Sequence, residues 1–369
     1  MRIVLTGAGG FLGWHTRVRL AALTDHEVVS LNRDNWSDLA AEVRSADAII
    51  HIAGVNRGER SEVERGNVAL SEAVADAIAR AGRPVPVVYA NSIQAGNDTP
   101  YGAGKAAAGA VLAQAAAGAG SNFTDVVLPN LFGEHGAPRY NSFVATFVDA
   151  VASGVVPQIN DREVELLHAQ GAAQHLMDGL SGRGGAVRPR GSMATVQGVY
   201  DQLRRFHDVY NGGDMPDLSV AFSVDLFNTY RAALFPGHYP LALNAHSDDR
   251  GRLVETVRSH GGQGQTFVST TKAGVTRGEH YHLNKVERFV VLRGQARISL
   301  RRMFTEEVVS FDVSGESPSV VDMPTMWVHN ITNTGNTELT TLFWTHSLFD
   351  PENPDTYWEP VSLAEKVAP

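Results

Sequence analysis

Two periodicities divide the chain. In the first half, short apolar runs alternate with longer amphipathic or alanine-rich ones. RIVLTG (2–7), HEVVSLN (26–32), DAIIHIAG (47–54), PVVYANS (86–92) and TDVVLPN (124–130) read as strands. SDLAAEVRS (37–45), LSEAVADAIARAG (70–82) and KAAAGAVLAQAAAGAG (105–120) favour helix, alanine being the best helix former. Alternating β and α elements predict a doubly wound parallel sheet covered on both faces. GGAVRPRG (184–191) reads as a loop, and QGVYDQLRRFHDVY and DLFNTYRAALF as helices closing the first domain. After residue 240 the pattern changes. QTFVSTT, RFVVLRG, ARISLRR, EVVSFDV, SVVDMP and TTLFWTHSLF follow at short intervals with turn formers between them, which predicts an all-β barrel or sandwich. The expected domains are therefore 1–240 and 241–369.

Composition narrows the function classes. A formal charge of −9 with no run of like charges argues against a nucleic-acid partner. No apolar run reaches the roughly 18 residues of a membrane span, and no basic segment with a long apolar stretch opens the chain, so a cytoplasmic protein is expected. There are no cysteines, so any metal must be held by His, Asp or Glu.

In TGAGGFLG, Gly7, Gly10 and Gly13 follow a strand and open a helix, with Phe11 and Leu12 at its start. Glycine lets the backbone turn tightly and approach a pyrophosphate, while the helix N-terminus offers N–H donors. At the end of the second strand, SLNRDN puts Asn32 and Arg33 where NAD enzymes carry an acid; an arginine there favours NADP(H), with Asp34 as the competing reading.

The G-x-x-G-x-x-G spacing resembles the extended short-chain dehydrogenase/reductase family. That family carries Tyr-x-x-x-Lys on a helix, and YGAGK supplies Tyr101 and Lys105, four apart and so on one helical face. A nearby ammonium stabilises phenolate, which suits proton exchange with a carbonyl or alkoxide. The resemblance makes Ser92 the partner of the substrate oxygen, although its gap to Tyr101 is shorter than usual. It places Ala53 and Gly54 beside the cofactor and Asn130 of PNLFG beside the substrate. Arg57, Arg139 and Asn141 are further substrate candidates.

The C-terminal half carries a second pattern. Gly274, His280, His282, Glu287 and Gly294 match the first cupin motif, G-x5-H-x-H-x3-4-E-x6-G, at every position. Alternation puts His280 and His282 on one strand face. MPTMWVHNITN supplies His329, with Met326 where the second motif has glycine and Pro318 in place of that motif's first glycine. Three histidines and a carboxylate suit a divalent transition metal, zinc being favoured.

With AGVNR, NSIQA, PYGAGK, QTFVSTTKAGVTRGEHYH and LFDPENPDTYWEPV, the whole chain resembles the CapF-type family of capsular polysaccharide enzymes. That resemblance implies a cytoplasmic homodimer with two activities. The cupin epimerises C3 of a UDP-linked 2-acetamido-2,6-dideoxy-hexos-4-ulose. The reductase domain then reduces the C4 ketone with NADPH, giving UDP-N-acetyl-6-deoxy-L-talosamine on the way to UDP-N-acetyl-L-fucosamine. Relatives carry a Tyr-Ile-Asp-Asp-like run where this chain has His168, Ala169, Gln170 and Gly171, which touches sugar specificity. SDDRGRLVE also resembles dTDP-4-keto-sugar 3,5-epimerases, whose catalytic histidine matches His280. His280 is thus a candidate both for metal ligand and for base, with Lys272 and His260 as other proton carriers. The alternative reading is a 4-keto-sugar reductase whose cupin is only a metal-stabilised dimerisation module. A nucleotide-sensing protein with degenerate sites is disfavoured by the intact Tyr101 and Lys105.

Overall fold

The computed structural model describes residues 1–364. The chain forms two compact units, Met1–Phe143 with Asp161–Val196, and Val144–Asn160 with Gln197 onward. In the first, β1 (Arg2–Thr6), β2 (Glu27–Leu31), β3 (Ala48–His51), β4 (Val87–Ser92) and β5 (Phe123–Leu128) run parallel in the order β2-β1-β3-β4-β5. Gly185–Val187 adds a sixth parallel strand beside β5. The segment expected to be a loop thus supplies a sheet edge; its three residues are all exposed, so no apolar pattern marks them.

Side chains alternate across a strand, so β1 needs cover on both sides. Ile3 and Leu5 pack with Leu12 and Leu20 of α1 (Phe11–Leu23) and with Leu176 of the helix Ala169–Asp178. Val4 packs on the other face with Leu39 and Val43 of α2 (Leu39–Ser45), Val74 and Ile78 of α3 (Arg60–Ala81) and Leu112 of α4 (Pro100–Gly118). Helix α3 starts ten residues before the apolar pattern does, because Glu59 and Glu62 form a reciprocal capping box at its N-terminus. The small residues of α4 serve close packing: a Cβ on Gly104 would lie 2.9 Å from the Glu64 carbonyl of α3. A separate three-stranded sheet of Asn130–Phe132, Glu163–His168 and Ser192–Thr195 completes this unit.

The second unit holds two five-stranded antiparallel sheets. One orders Leu241–Ala242, Ser319–Met323, Glu287–Arg293, Leu339–Thr345 and Gln265–Thr271. The other orders Val308–Ser314, Gln295–Arg302, Trp327–Asn333, Thr276–Tyr281 and Tyr357–Trp358. This is the cupin barrel. The helices Val196–Tyr210 and Ala221–Leu234, counted with the first domain in the sequence reading, fall almost wholly in this unit. Their polar residues reach the strands: the Tyr210 hydroxyl donates to Asp322 Oδ2 at 2.6 Å, the Arg231 guanidinium to the Met323 carbonyl, and Asn228 Nδ2 to the Asn284 carbonyl at 2.7 Å. Asp322 is itself paired with Arg288 at 2.7 Å, both fully buried. No helix among the described residues is long and apolar enough to cross a membrane.

Candidate functional site

The glycine-rich turn sits where strand order reverses, between β1 and β3, the place at which open α/β sheets bind ligands. Gly7 has φ +69°, and a Cβ there would lie 2.7 Å from Ala53 N, just beyond β3. A Cβ on Gly13 would overlap the Gly7 carbonyl, so α1 can approach the turn only without a side chain. Gly10, at the head of α1, has no side-chain cap, so N–H groups of the first turn are not covered from that position. A dinucleotide pyrophosphate fits this cradle. Leu12 is spent on the core, with Phe11 beside it half-buried. Asn32 Oδ1 accepts from Gly9 N at 2.5 Å, which ties the end of β2 to the turn. Arg33 and Asp34 stand exposed just beyond.

Thr99 caps α4, accepting from Gly102 N at 3.0 Å, and so starts the helix just before Tyr101. Ser92, at the end of β4, stands close enough to the Tyr101 phenol to shift its pKa, despite the short gap between them. Burial raises the phenol's pKa and the Ser92 hydroxyl works to lower it. Lys105 is buried, its Nζ donating to the Ala90 carbonyl at 2.6 Å and lying 4.1 Å from the centre of the Tyr89 ring. Burial pushes the ammonium down to about 7, with Asp125 pulling it back up.

Several supporting residues were not found by sequence reasoning. Asp125 Oδ2 accepts from Asn91 Nδ2 at 3.1 Å, and Asn91 Oδ1 accepts from Ser92 N at 2.9 Å. His51 stacks on Tyr89 and bonds Thr6 Oγ1 at 2.7 Å. Polar residues inside parallel strands break the apolar pattern, and that break was the available signal.

The substrate candidates separate. Arg57 lies over the Tyr140 ring at 4.6 Å and donates to Asn141 Oδ1 at 3.2 Å, so those two are together. Asn130 Nδ2 donates to the Glu165 carbonyl at 3.2 Å, while Arg139 is exposed with φ 55°. Where relatives carry acids, His168 is buried and bonds Glu134 Oε2 at 2.9 Å, and Gln170 bonds His15 Nδ1 at 3.0 Å.

In the second unit, four side chains converge. His280 pairs directly with His329 across adjacent strands of one sheet; Glu287 begins a strand of the other; His282 follows the end of the His280 strand. Their ligand atoms all lie within 4.8 Å of one another. Glu287 Oε2 is 3.1 Å from His282 Nε2 and 3.3 Å from His329 Nε2. The other ring nitrogens face carbonyls, His282 Nδ1 on Asp355 O at 2.5 Å and His329 Nδ1 on Trp327 O at 3.1 Å. A carbonyl accepts only from N–H, so in its neutral form each ring keeps its lone pair on Nε2, on the side of the cluster. Burial pushes His280 down to about 3, with His329 and His282 adding to the effect, and burial lowers His329 too. Burial works to raise Glu287, yet His282 and His329 hold it well below the usual carboxylate range. Three imidazoles and a carboxylate are the donor set of a divalent transition metal, which binds them with the ring nitrogens deprotonated.

Met326 takes φ 61°, as glycine would, and its N–H donates to the His282 carbonyl at 2.7 Å. Lys272 lies exposed in the turn before the His280 strand. His260 is held at the surface by Asp214 Oδ2 at 2.9 Å.

Comparison with known proteins gives the same two-part division. Residues 3–176 match the NAD dependent epimerase/dehydratase family, and residues 246–357 match the polysaccharide biosynthesis C-terminal domain. The chain is 33% identical over 366 residues to the UDP-2-acetamido-2,6-beta-L-arabino-hexul-4-ose reductase of Pseudomonas aeruginosa, covering 97% of this chain and 98% of the relative. It is similar to the crystal structure of the capsular polysaccharide assembling protein CapF from Staphylococcus aureus, with TM-score 0.62 and 32% identity over 98% of this chain and 100% of that one. It also shares 27% identity over 122 residues with the spore coat polysaccharide biosynthesis protein SpsL of Bacillus subtilis, 31% of this chain and 81% of that protein.

Proposed function

The chain belongs to the CapF-type family, an extended short-chain dehydrogenase/reductase domain joined to a cupin, and from that premise we propose that it is a bifunctional nucleotide-sugar enzyme. Its substrate is a UDP-linked 2-acetamido-2,6-dideoxy-hexos-4-ulose. The cupin half sets the configuration at C3, and the reductase half reduces the C4 ketone, giving UDP-N-acetyl-6-deoxy-L-talosamine. The reading is carried by one observation: Tyr101 and a buried Lys105 stand one turn apart on α4 beside Ser92, in a chain that also holds the His280, His282, Glu287 and His329 cluster.

When bound at the Gly7–Gly13 cradle, NADPH supplies the hydride. Ser92 holds the C4 oxygen and Tyr101 gives it a proton, while the Lys105 charge favours the phenolate left behind. The C4 carbonyl acidifies the hydrogen on C3, so a base removes it and an acid returns one on the other face. A metal, for which zinc is the preferred identity, would be held by His280, His282, Glu287 and His329 and would supply positive charge for the developing oxyanion. Lys272 is proposed as a proton carrier in this half. Once the ketone is reduced, C3 is no longer acidic and its configuration is fixed. The active species is proposed to be a cytoplasmic homodimer.

The test is isotope exchange. The UDP-4-keto sugar incubated with enzyme in D2O without cofactor should take up deuterium at C3, and adding NADPH should consume cofactor and ketone together. Reduction without exchange would remove the epimerase half and leave a reductase whose cupin only stabilises a dimer.

A further inference from the structure

The segment after the last long strand of the barrel turns back over the histidine cluster. Tyr357 and Trp358 pair with Tyr281 and His280 as the end strand of one sheet. Two residues before Tyr357, Asp355 adopts φ 42°, in the left-handed region that an L side chain seldom occupies. Strain of this kind persists only where surrounding bonds over-determine the conformation, and here they are numerous.

The Asp355 carboxylate accepts three successive backbone N–H groups of the loop that follows His282: Leu283 N at 2.8 Å, Asn284 N at 2.9 Å and Lys285 N at 2.7 Å. Successive N–H groups of this kind form a concave anion cradle. The same residue's carbonyl accepts from His282 Nδ1 at 2.5 Å. Lys285 closes the contact from the other side, its Nζ donating to the Pro354 carbonyl at 2.7 Å and to Thr356 Oγ1 at 3.1 Å. One residue of the tail therefore fixes both the loop between two cluster members, His282 and Glu287, and the tautomer of His282.

We propose that Asp355 is a positioning residue for the metal: through its carbonyl and carboxylate it orients His282 and the 283–285 loop so that His282 Nε2 faces the ion. This rests on the metal reading given above. A neutral imidazole places its proton on one nitrogen, and a carbonyl on Nδ1 dictates that nitrogen, so the lone pair is left on Nε2. Partners of this type typically change metal affinity by about 10- to 100-fold. The side chain acts by anchoring: without it the tail loses three bonds to the loop, and its carbonyl is no longer held against the ring.

The experiment is Co(II) titration of the metal-free full chain, followed by its visible spectrum and by chelator competition, for wild type, Asp355→Ala, Asp355→Asn and Lys285→Ala. Asp355→Ala should weaken Co(II) binding about 10- to 100-fold and alter the ligand-field bands, because His282 no longer presents a fixed nitrogen. Asp355→Asn, whose amide oxygen can still accept N–H bonds, should fall between wild type and Asp355→Ala. Lys285→Ala, which leaves the carboxylate cradle whole, should weaken binding less than Asp355→Ala. Should Asp355→Ala lower only the thermal stability of the metal-free protein, with Co(II) affinity and bands unchanged, the tail is a structural strap and the proposal falls. Should wild type itself take up no Co(II), the metal reading fails first and the role of Asp355 with it.

Discussion

Lys105 in the first unit and Glu287 in the second are both ionisable and both buried, yet their surroundings move them in opposite directions. Burial dominates at Lys105, whose ammonium has a carbonyl, an aromatic face and the more distant Asp125 for company, and its pKa comes down to about 7. At Glu287 burial is overcome by His282 and His329, and the carboxylate stays ionised. The charge of the first is marginal near neutrality and open to adjustment. The charge of the second is held by its histidines, and three imidazoles with one carboxylate make a group that could hold a cation. On the proposed reading, the first centre moves a proton and the second holds an ion.

The largest expected effect separates the two chemistries. Tyr101→Phe removes the proton donor and should cut NADPH oxidation by about 10²- to 10⁴-fold, with deuterium uptake at C3 unchanged. If exchange is lost as well, the two centres are not independent and the division above fails. The converse variant, His329→Ala, removes one of four ligands. Metal content measured after dialysis should drop and C3 exchange should slow at least about tenfold, while NADPH oxidation with substrate already of the product configuration at C3 is retained. A smaller effect is expected at the cofactor. Arg33→Ala should raise the KM for NADPH roughly tenfold, in line with the loss of one charge-assisted bond, and leave that for NADH alone. Equal changes for both cofactors would remove Arg33 from the 2′-phosphate.

How far these centres were legible depends on where their parts lie along the chain. The glycine turn, Tyr101 with Lys105, and His280 with His282 and Glu287 are local patterns, each compressed into a few residues by one turn or strand, and sequence spacing reached them. The meeting of Ser92 with Tyr101 depends on a loop whose turns spacing does not encode. Asp125 reaches the first centre from the neighbouring strand β5, and Asp355 reaches the second from 73 residues beyond His282. Such contacts are set by strand order and by a returning tail, neither of which leaves a periodic trace. Met326 stands where the second motif has glycine, and its backbone takes the positive φ that glycine favours, with its N–H on the His282 carbonyl. The 196–234 helices were read correctly as helices, but their attachment rests on Tyr210, Asn228 and Arg231, polar residues whose partners lie 56 to 112 positions away.

The smallest expected effect bears most directly on why Lys105 differs from Glu287. Reduction requires Lys105 charged, so kcat/KM for the ketone should decline as pH rises through about 7. The Asp125 carboxylate raises the Lys105 pKa, so Asp125→Asn should move that declining limb to lower pH with little change in its plateau. Stability should respond in the opposite sense. The folded pKa of Lys105, about 7, lies below its ordinary 10.5, so between these values the unfolded chain binds the proton and the folded chain does not. Unfolding then takes up a proton, and this group's contribution to stability rises with pH across that window. Below about 7 both states are protonated, and the folded one carries the full cost of a buried ammonium. Lys105→Met removes the group, so its Tm should rise less between pH 7 and 10 than that of wild type. A wild-type protein whose activity and stability both stayed level over that range would show that the Lys105 charge is held by its neighbours as firmly as that of Glu287, and the contrast between the two centres would be lost.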